Sequence, residues 1–230
     1  MIAAAARGAA RAGIASAIAA GVLLAPSRLA VAVAVHPAPP ESRRPAPDPL
    51  DLRREAILAR LEDHLERRMT SVPHLVHEAL ARAIVDEAEA ARLDPLLVLA
   101  VIEVESGYDP SAASAAGARG LMQLQPATLR REVAGEGGGA ADPQDPVANV
   151  RAGVRYLRRC LDSYPKLTLA LMAYNTGPNR LHAFLLDGEV PAQVLAYPRR
   201  VLAEQHHLRE VLGLGEVDGA GVVGVTAARD

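Results

Sequence analysis

The sequence contains one cysteine, Cys160, no tryptophan and a single phenylalanine. A lone cysteine excludes an intrachain disulfide. Its place inside a helical pattern suits a small buried apolar residue better than a nucleophile. No cysteine lies near the N-terminus, which argues against a lipid anchor there. Aromatics make up only 3 % of the chain, so stacking against a ligand ring falls mainly to Tyr108, Tyr174 or Tyr197. The formal net charge is −2, which gives no basic field for nucleic acid, although local patches matter more than totals. There is no alternating strand series, no internal repeat, no phosphate-cradling glycine loop and no zinc-ligand spacing. Without strand signals the expected class is an all-α domain.

What is present begins with an export pattern. Arg7 and Arg11 precede the small-residue apolar run Ala12 to Leu24, and Ala30-Val31-Ala32 or Ala32-Val33-Ala34 offers a cleavage site. Residues 1–34 thus read as a signal peptide or anchor, placing the protein outside the cytoplasm, in the periplasm or cell envelope. Residues 35–49 form a Pro-rich linker that cannot build a core. Residues 50–72 return to helical spacing, with Leu52, Ile57, Leu58, Leu61 and Leu65 near one face. This extension is expected to pack on the domain that follows.

That domain is expected over residues 73–205, with a Gly- and Val-rich tail over 206–230. Its first helix runs from Pro73 to about Arg92. His74 and His77 lie on its first turn. A metal site would need further ligands at suitable spacing, and none is evident, so both read as surface histidines. Further on, Val147, Val150, Val154, Leu157 and Leu161 recur at threes and fours as a core seam, while Arg151, Arg155, Arg158 and Arg159 cover other faces and read as a solvated surface.

The stretch from Leu93 to Thr128 carries the chemistry. Asp94 is a good N-cap and Pro95 a good first helical residue. Leu96 to Val104 is apolar almost all round, as in a helix at the centre of a core. It ends in Glu105-Ser106-Gly107, with Gly107 suited to the left-handed residue that closes a helix. Burial and the negative end of the helix dipole both disfavour a charged Glu105, which raises its pKa as a general acid requires. Glu103 lies roughly 200° away around the helix, so the two carboxylates do not share a site. A second apolar helix, Lys166 to Asn175, also ends in polar residues, Tyr174 and Asn175. Two core helices with polar tips suggest one shared cleft.

Glu105-Ser106-Gly107-Tyr108-Asp109-Pro110, Ser114, Gly117-Ala118-Arg119-Gly120-Leu121-Met122-Gln123 and Pro126-Ala127-Thr128 follow one another without a gap. Asn149 to Leu157 and Ala173-Tyr174-Asn175-Thr176-Gly177 come after them. This series resembles the soluble lytic transglycosylases, which have a goose-type lysozyme-like fold, over about Pro73 to Leu202.

The resemblance implies cleavage of the bond between N-acetylmuramic acid and N-acetylglucosamine in peptidoglycan without water. Glu105 would act first as acid and then as base, giving a 1,6-anhydromuramoyl product. It implies that Ser114, Gln123, Gln125, Tyr174, Asn175 and Gln193 contact substrate or the loop around it, with Tyr174 bonding near Glu105. Ser106, Met122 and Tyr197 would give support. Gln125 stands where Met is commoner. Gln193-Val194 stands where a Glu-Thr pair is expected, and Pro198 follows Tyr197. The implied enzyme needs no cofactor and no metal, and is expected as a monomer. Its partner is the glycan strand, and its architecture suits recruitment to an envelope or secretion assembly. The alternatives are a lysozyme-like hydrolase on the same fold, and a non-catalytic wall-binding or secretion-scaffold protein that kept the cleft.

Overall fold

Proline and aspartate punctuate the chain into helices. The computed structural model describes residues 48–134 and 142–214, all within one unit, Ala46–Asp230. The helices are α1 (Pro49–Arg68), α2 (His74–Ala91), α3 (Pro95–Ser106), α4 (Pro126–Val133), α5 (Pro146–Ser163), α6 (Leu167–Thr176), α7 (Pro178–Asp187) and α8 (Ala192–Val211). Five of them begin with proline in the first turn. There its missing N–H costs nothing and its fixed φ already suits a helix. Asp48, Asp94 and Asp145 cap α1, α3 and α5, each accepting from the backbone N–H two residues on at 2.9 Å. No strand occurs among the described residues. Two isolated bridges, Ala113 with Arg119 and Arg119 with Leu124, fold the loop between α3 and α4. The all-α expectation is met.

α3 is the central element. Every residue from Leu96 to Ile102 is buried, because the helix is covered on several sides, with α2 and α8 among the elements packed on it. α5 packs against α2, α4 and α6, and α6 also meets α8. The N-terminal end of α3 is tied to α8 through Asp94, which accepts from Gln205 at 2.8 Å and pairs with Arg209.

The extension α1 is part of the same core. Leu61 and Leu65 are fully buried in the cluster that holds the α3 residues. His64 of α1 shares a 2.9 Å hydrogen bond with the Tyr108 hydroxyl, and Arg68 pairs with Glu103. The two carboxylates of α3 therefore face different partners, as their spacing requires.

Two surface expectations change. His77 is only 4 % exposed, because Met69 closes over it and its Nε2–H donates to the Met69 carbonyl at 3.0 Å. The arginines of α5 are not simply solvated: Arg151 and Arg155 both pair with Glu87, and Arg159 pairs with Glu132. Cys160 is buried, as its place in the helical pattern predicts, and its thiol is pushed up to about 12, chiefly by burial, so it is no nucleophile near neutral pH. The expected signal segment, residues 1–34, and residues 215–230 of the tail lie outside the described residues. No helix among the described residues is long and apolar enough to cross a membrane.

Candidate active site

Glu105 occupies the last turn of α3, one residue before Ser106. Ser106 turns its hydroxyl back to donate to the Ile102 carbonyl at 3.1 Å, occupying one acceptor that the helix end leaves open. Gly107 closes the helix at φ 60°, and its N–H reaches the Glu103 carbonyl at 3.0 Å. Tyr108 follows, also left-handed at φ 69°. Such a conformation is costly for an aromatic residue. It is held by a buried ring that His64 meets edge-on at 5.2 Å and Arg68 covers at 5.0 Å. The two consecutive left-handed residues turn the chain sharply out of the core and leave Glu105 half-buried at the exit.

The Tyr197 hydroxyl of α8 donates to Glu105 Oε1 at 2.6 Å. Burial holds the Glu105 carboxyl above its ordinary pKa. The Tyr197 hydrogen bond and the Arg200 charge oppose that shift without cancelling it. Tyr197 itself is pushed well up, first by burial and then by the Glu105 charge, so it remains a donor. Pro198, immediately after it, lies inside α8. Its ring cannot donate to the preceding turn, which interrupts the helix hydrogen bonding beside the site.

The loop between α3 and α4 is folded on itself. Arg119 and Leu124 exchange backbone hydrogen bonds at 3.0 Å, and Gly120 N–H donates to Ala112 at 2.9 Å. Gly120 is left-handed at φ 75°, and a Cβ there would lie 2.4 Å from Asn149 Nδ2 and from the Pro143 carbonyl. Only glycine fits. Gln123, at φ 45°, donates its amide to the Ala112 and Gly120 carbonyls at 3.1 and 2.9 Å. Ser114 is exposed and its oxygen accepts from Ala118 N–H at 3.0 Å. Exposed Gln125 donates to the Ala116 carbonyl at 3.1 Å.

The loop is pinned to the helices through fully buried Met122. Its carbonyl accepts from the Tyr174 hydroxyl at 2.8 Å. Its N–H donates to Asn149 Oδ1 at 2.8 Å. Its side chain lies against Gly153, where an added Cβ would sit 2.2 Å from the sulfur. Asn149 spends its amide on the Arg119 and Pro143 carbonyls at 3.1 and 3.0 Å. In the sequence Asn149 and Gly153 lie in the Asn149–Leu157 motif, which by itself assigns neither a role. A polar residue on a face otherwise occupied by Val150 and Val154 was the available signal.

The structure thus brings Glu105 and Tyr197 into contact, and gathers Met122, Gln123 and Tyr174 beside the loop. Tyr174 bonds the Met122 carbonyl, while its pKa, raised mainly by burial, also feels the Glu105 charge. The direct partner of Glu105 is Tyr197. Tyr108, Tyr174 and Tyr197 are all buried, so none of these rings offers an open face for stacking. Asn175 is exposed on the last turn of α6, and Tyr164 is what bonds the turn into α7, donating to the Pro178 carbonyl at 3.1 Å. Gln193 is exposed on the first turn of α8, four residues before Tyr197 and so on the same helix face. A concavity of about 600 Å³ between α4, α5 and the turn into α7, lined by Tyr156, Arg131, Arg159 and Arg180 among others, does not include Glu105.

A helical domain whose central helix ends in one half-buried carboxyl, followed by a tightly folded loop, is of the lysozyme-like class. Residues 82–186 match the family model of the transglycosylase SLT domain. Over those residues the chain is similar to the lytic transglycosylases that carry this domain.

It is 33 % identical over 138 residues to a transglycosylase of Enterobacteria phage PRD1, covering 60 % of this chain and 47 % of that one. It is 31 % identical over 143 residues to membrane-bound lytic murein transglycosylase F of Vibrio cholerae, covering 55 % and 26 %. The chain therefore spans about half or less of the length of these curated relatives. Among solved structures it is similar to an inactive glutamate-to-glutamine mutant of lytic transglycosylase Slt from Pseudomonas aeruginosa, with TM-score 0.52, 27 % identity and coverage of 59 % and 24 %. It is also similar to the 70 kDa soluble lytic transglycosylase of Escherichia coli, with TM-score 0.51, 26 % identity and coverage of 71 % and 28 %.

Proposed function

We propose that the chain is an exported peptidoglycan lytic transglycosylase with Glu105 as its one catalytic carboxyl. The observation that carries this reading is the position of Glu105: half-buried at a helix C-terminus, raised in pKa by burial, with Tyr197 donating to one oxygen. Such a group holds a proton closer to neutral pH than a free carboxylate does, and can take it back. The inactive glutamate-to-glutamine mutant among its structural neighbours supports a glutamate at the centre of the chemistry.

In the proposed cycle Glu105 gives its proton to the oxygen linking N-acetylmuramic acid to N-acetylglucosamine. The C1–O bond breaks and the N-acetylglucosamine end leaves as an alcohol. The ring left behind is oxocarbenium-like, and the substrate's own acetamido group assists it. Glu105, now a carboxylate, takes the proton of the muramoyl 6-hydroxyl as that oxygen closes on C1. The product is a 1,6-anhydro ring, the carboxyl is protonated again, and no water is consumed. No second carboxylate is needed, which accords with Gln193 on the site-facing turn of α8.

Tyr197 positions Glu105 and supports its charged form midway through the cycle. Ser114 keeps a free hydroxyl proton, and Gln123 keeps its carbonyl oxygen, so these two are assigned to sugar hydroxyl or acetamido groups. Gln125 and Gln193 are exposed polar groups available to more distant sugars. Tyr174 and Met122 act by fixing the loop. Polysaccharide contact through hydrogen bonds suits a cleft whose tyrosines are buried.

The test compares soluble products from purified peptidoglycan treated with the protein or with its Glu105→Gln variant. Muropeptides lighter than hydrolysis products by one water, absent with the variant, are expected. Ordinary reducing ends would overturn the reading in favour of a hydrolase. Binding to the wall with no release by either protein would favour a non-catalytic scaffold.

A further inference from the structure

His74 and His77 sit one helical turn apart at the start of α2, and the end of α1 brings Glu66 beside them. One donor atom from each of the three lies within 4.8 Å of the others. His74 Nδ1 touches Glu66 Oε1, and its other nitrogen is 3.7 Å from Glu62 Oε1. His77 is buried. Its Nε2–H is committed to the Met69 carbonyl, which leaves the lone pair on Nδ1, a buried atom with no hydrogen-bond partner. A buried acceptor without a partner is uncommon and calls for an explanation.

We propose that Glu66, His74 and His77 bind a divalent transition metal of the zinc class, with Glu62 or water as fourth ligand. The donor types fit. Two imidazoles and a carboxylate suit zinc, whereas calcium and magnesium prefer all-oxygen sites. A histidine ligand normally donates its other ring N–H to a backbone carbonyl or carboxylate, and His77 already does so through Met69. The spacing fits after a small adjustment. Ligand atoms of a tetrahedral zinc site lie about 3.4 Å apart. Glu66 and His74 are exposed and can close by side-chain rotation, while His77 forms the fixed floor.

The consequence is structural. The metal joins the last turn of α1 to the first turn of α2 across the Met69–Pro73 turn. α1 is also the helix that holds Tyr108 through His64 and Glu103 through Arg68. A metal at this place clamps α1 onto the domain and so steadies the turn that follows Glu105. It takes no part in the chemistry proposed above.

The test uses the full-length protein, freed of metal with a chelator and titrated with zinc chloride by calorimetry and thermal unfolding, and with cobalt(II) by visible absorption. One saturable equivalent, a raised unfolding temperature and the strong absorption of tetrahedral cobalt are expected. The Glu66→Gln/His74→Ala double variant, altered only at exposed positions, should weaken zinc by at least about tenfold. The His206→Ala/His207→Ala control should bind as the parent does. Absence of saturable binding, equal affinity in the double variant, or loss of binding in the control would overturn the proposal.

Discussion

Tyr197 and Glu105 are 92 residues apart in sequence and 2.6 Å apart in the structure. The hydrogen bond runs from a buried phenol that stays protonated to a carboxyl that burial holds above its usual pKa. The bond favours the charged carboxylate. Burial favours the neutral acid and wins.

Replacing Tyr197 by phenylalanine removes the interaction that lowers the Glu105 pKa, so that pKa rises further. Because the proposed first step needs Glu105 protonated, the alkaline limb of the activity profile is expected to move to higher pH. Activity at the parent optimum falls about 10- to 100-fold, since the carboxyl also loses its orientation. The pH dependence of peptidoglycan turbidity loss checks this. An unmoved limb, or one at lower pH, would contradict it.

The same burial has a stability consequence. A carboxyl whose folded pKa lies above its unfolded value gives stability that is complete below the unfolded pKa and lost as pH rises through the folded one. Above the unfolded pKa, Glu105 is therefore a cost to the fold. Glu105→Gln, neutral at every pH, should unfold a few degrees higher than the parent at pH 7. The gain should vanish near pH 4. Thermal unfolding at both pH values reads this directly, and an unfolding temperature at pH 7 equal to or below the parent's would refute it.

The loop between α3 and α4 depends on Asn149 and Gly153. Asn149→Ala strips partners from the Met122 N–H and from the Arg119 and Pro143 carbonyls, at a cost of about 3 kcal/mol. Gly153→Ala forces a methyl into Met122, costing about 1–3 kcal/mol. Chemical denaturation should show both losses, and both variants should lose cleavage before they lose the fold. Unchanged denaturation midpoints would remove Met122 from its place as the pin of the loop.

His64 couples α1 to Tyr108. Its pKa is lowered from 6.5 to about 4, by burial first and then by the charges of Arg68 and Arg67. The lowered value means the unfolded chain binds the extra proton between pH 6.5 and about 4, so stability is full above that window and falls within it. His64→Gln should lose less stability than the parent across the window. Denaturation curves collected through it provide the comparison, and parallel losses would show that His64 carries none of the effect.

The parts of this structure that were legible in the sequence are local ones. Asp94-Pro95 at the start of α3 and Gly107 at its end are short-range capping signals, and the structure places them where the pattern does. Pro126 and Pro146 mark the starts of α4 and α5 in the same way. The position of Glu105 followed from those boundaries. What the sequence could not supply depends on contacts between distant helices. Tyr197 reaches Glu105 only because α8 lies along α3. His77 reads as a surface residue on α2 until α1 and Met69 cover it. The tyrosines look free to stack until the core closes over them. Asn149 stands out in sequence only as a polar residue beside Val150 and Val154, and its partners Met122, Arg119 and Pro143 lie on loops outside its own helix.

The most direct measurement follows oxygen from solvent during cleavage. Purified peptidoglycan is digested in water enriched in heavy oxygen, and the new muramoyl ends are analysed by mass spectrometry. If Glu105 closes the muramoyl 6-hydroxyl onto C1, those ends carry no label, and Glu105→Gln yields no new ends. Label at the muramoyl C1 would mean that water attacks there, and would contradict the account at its centre.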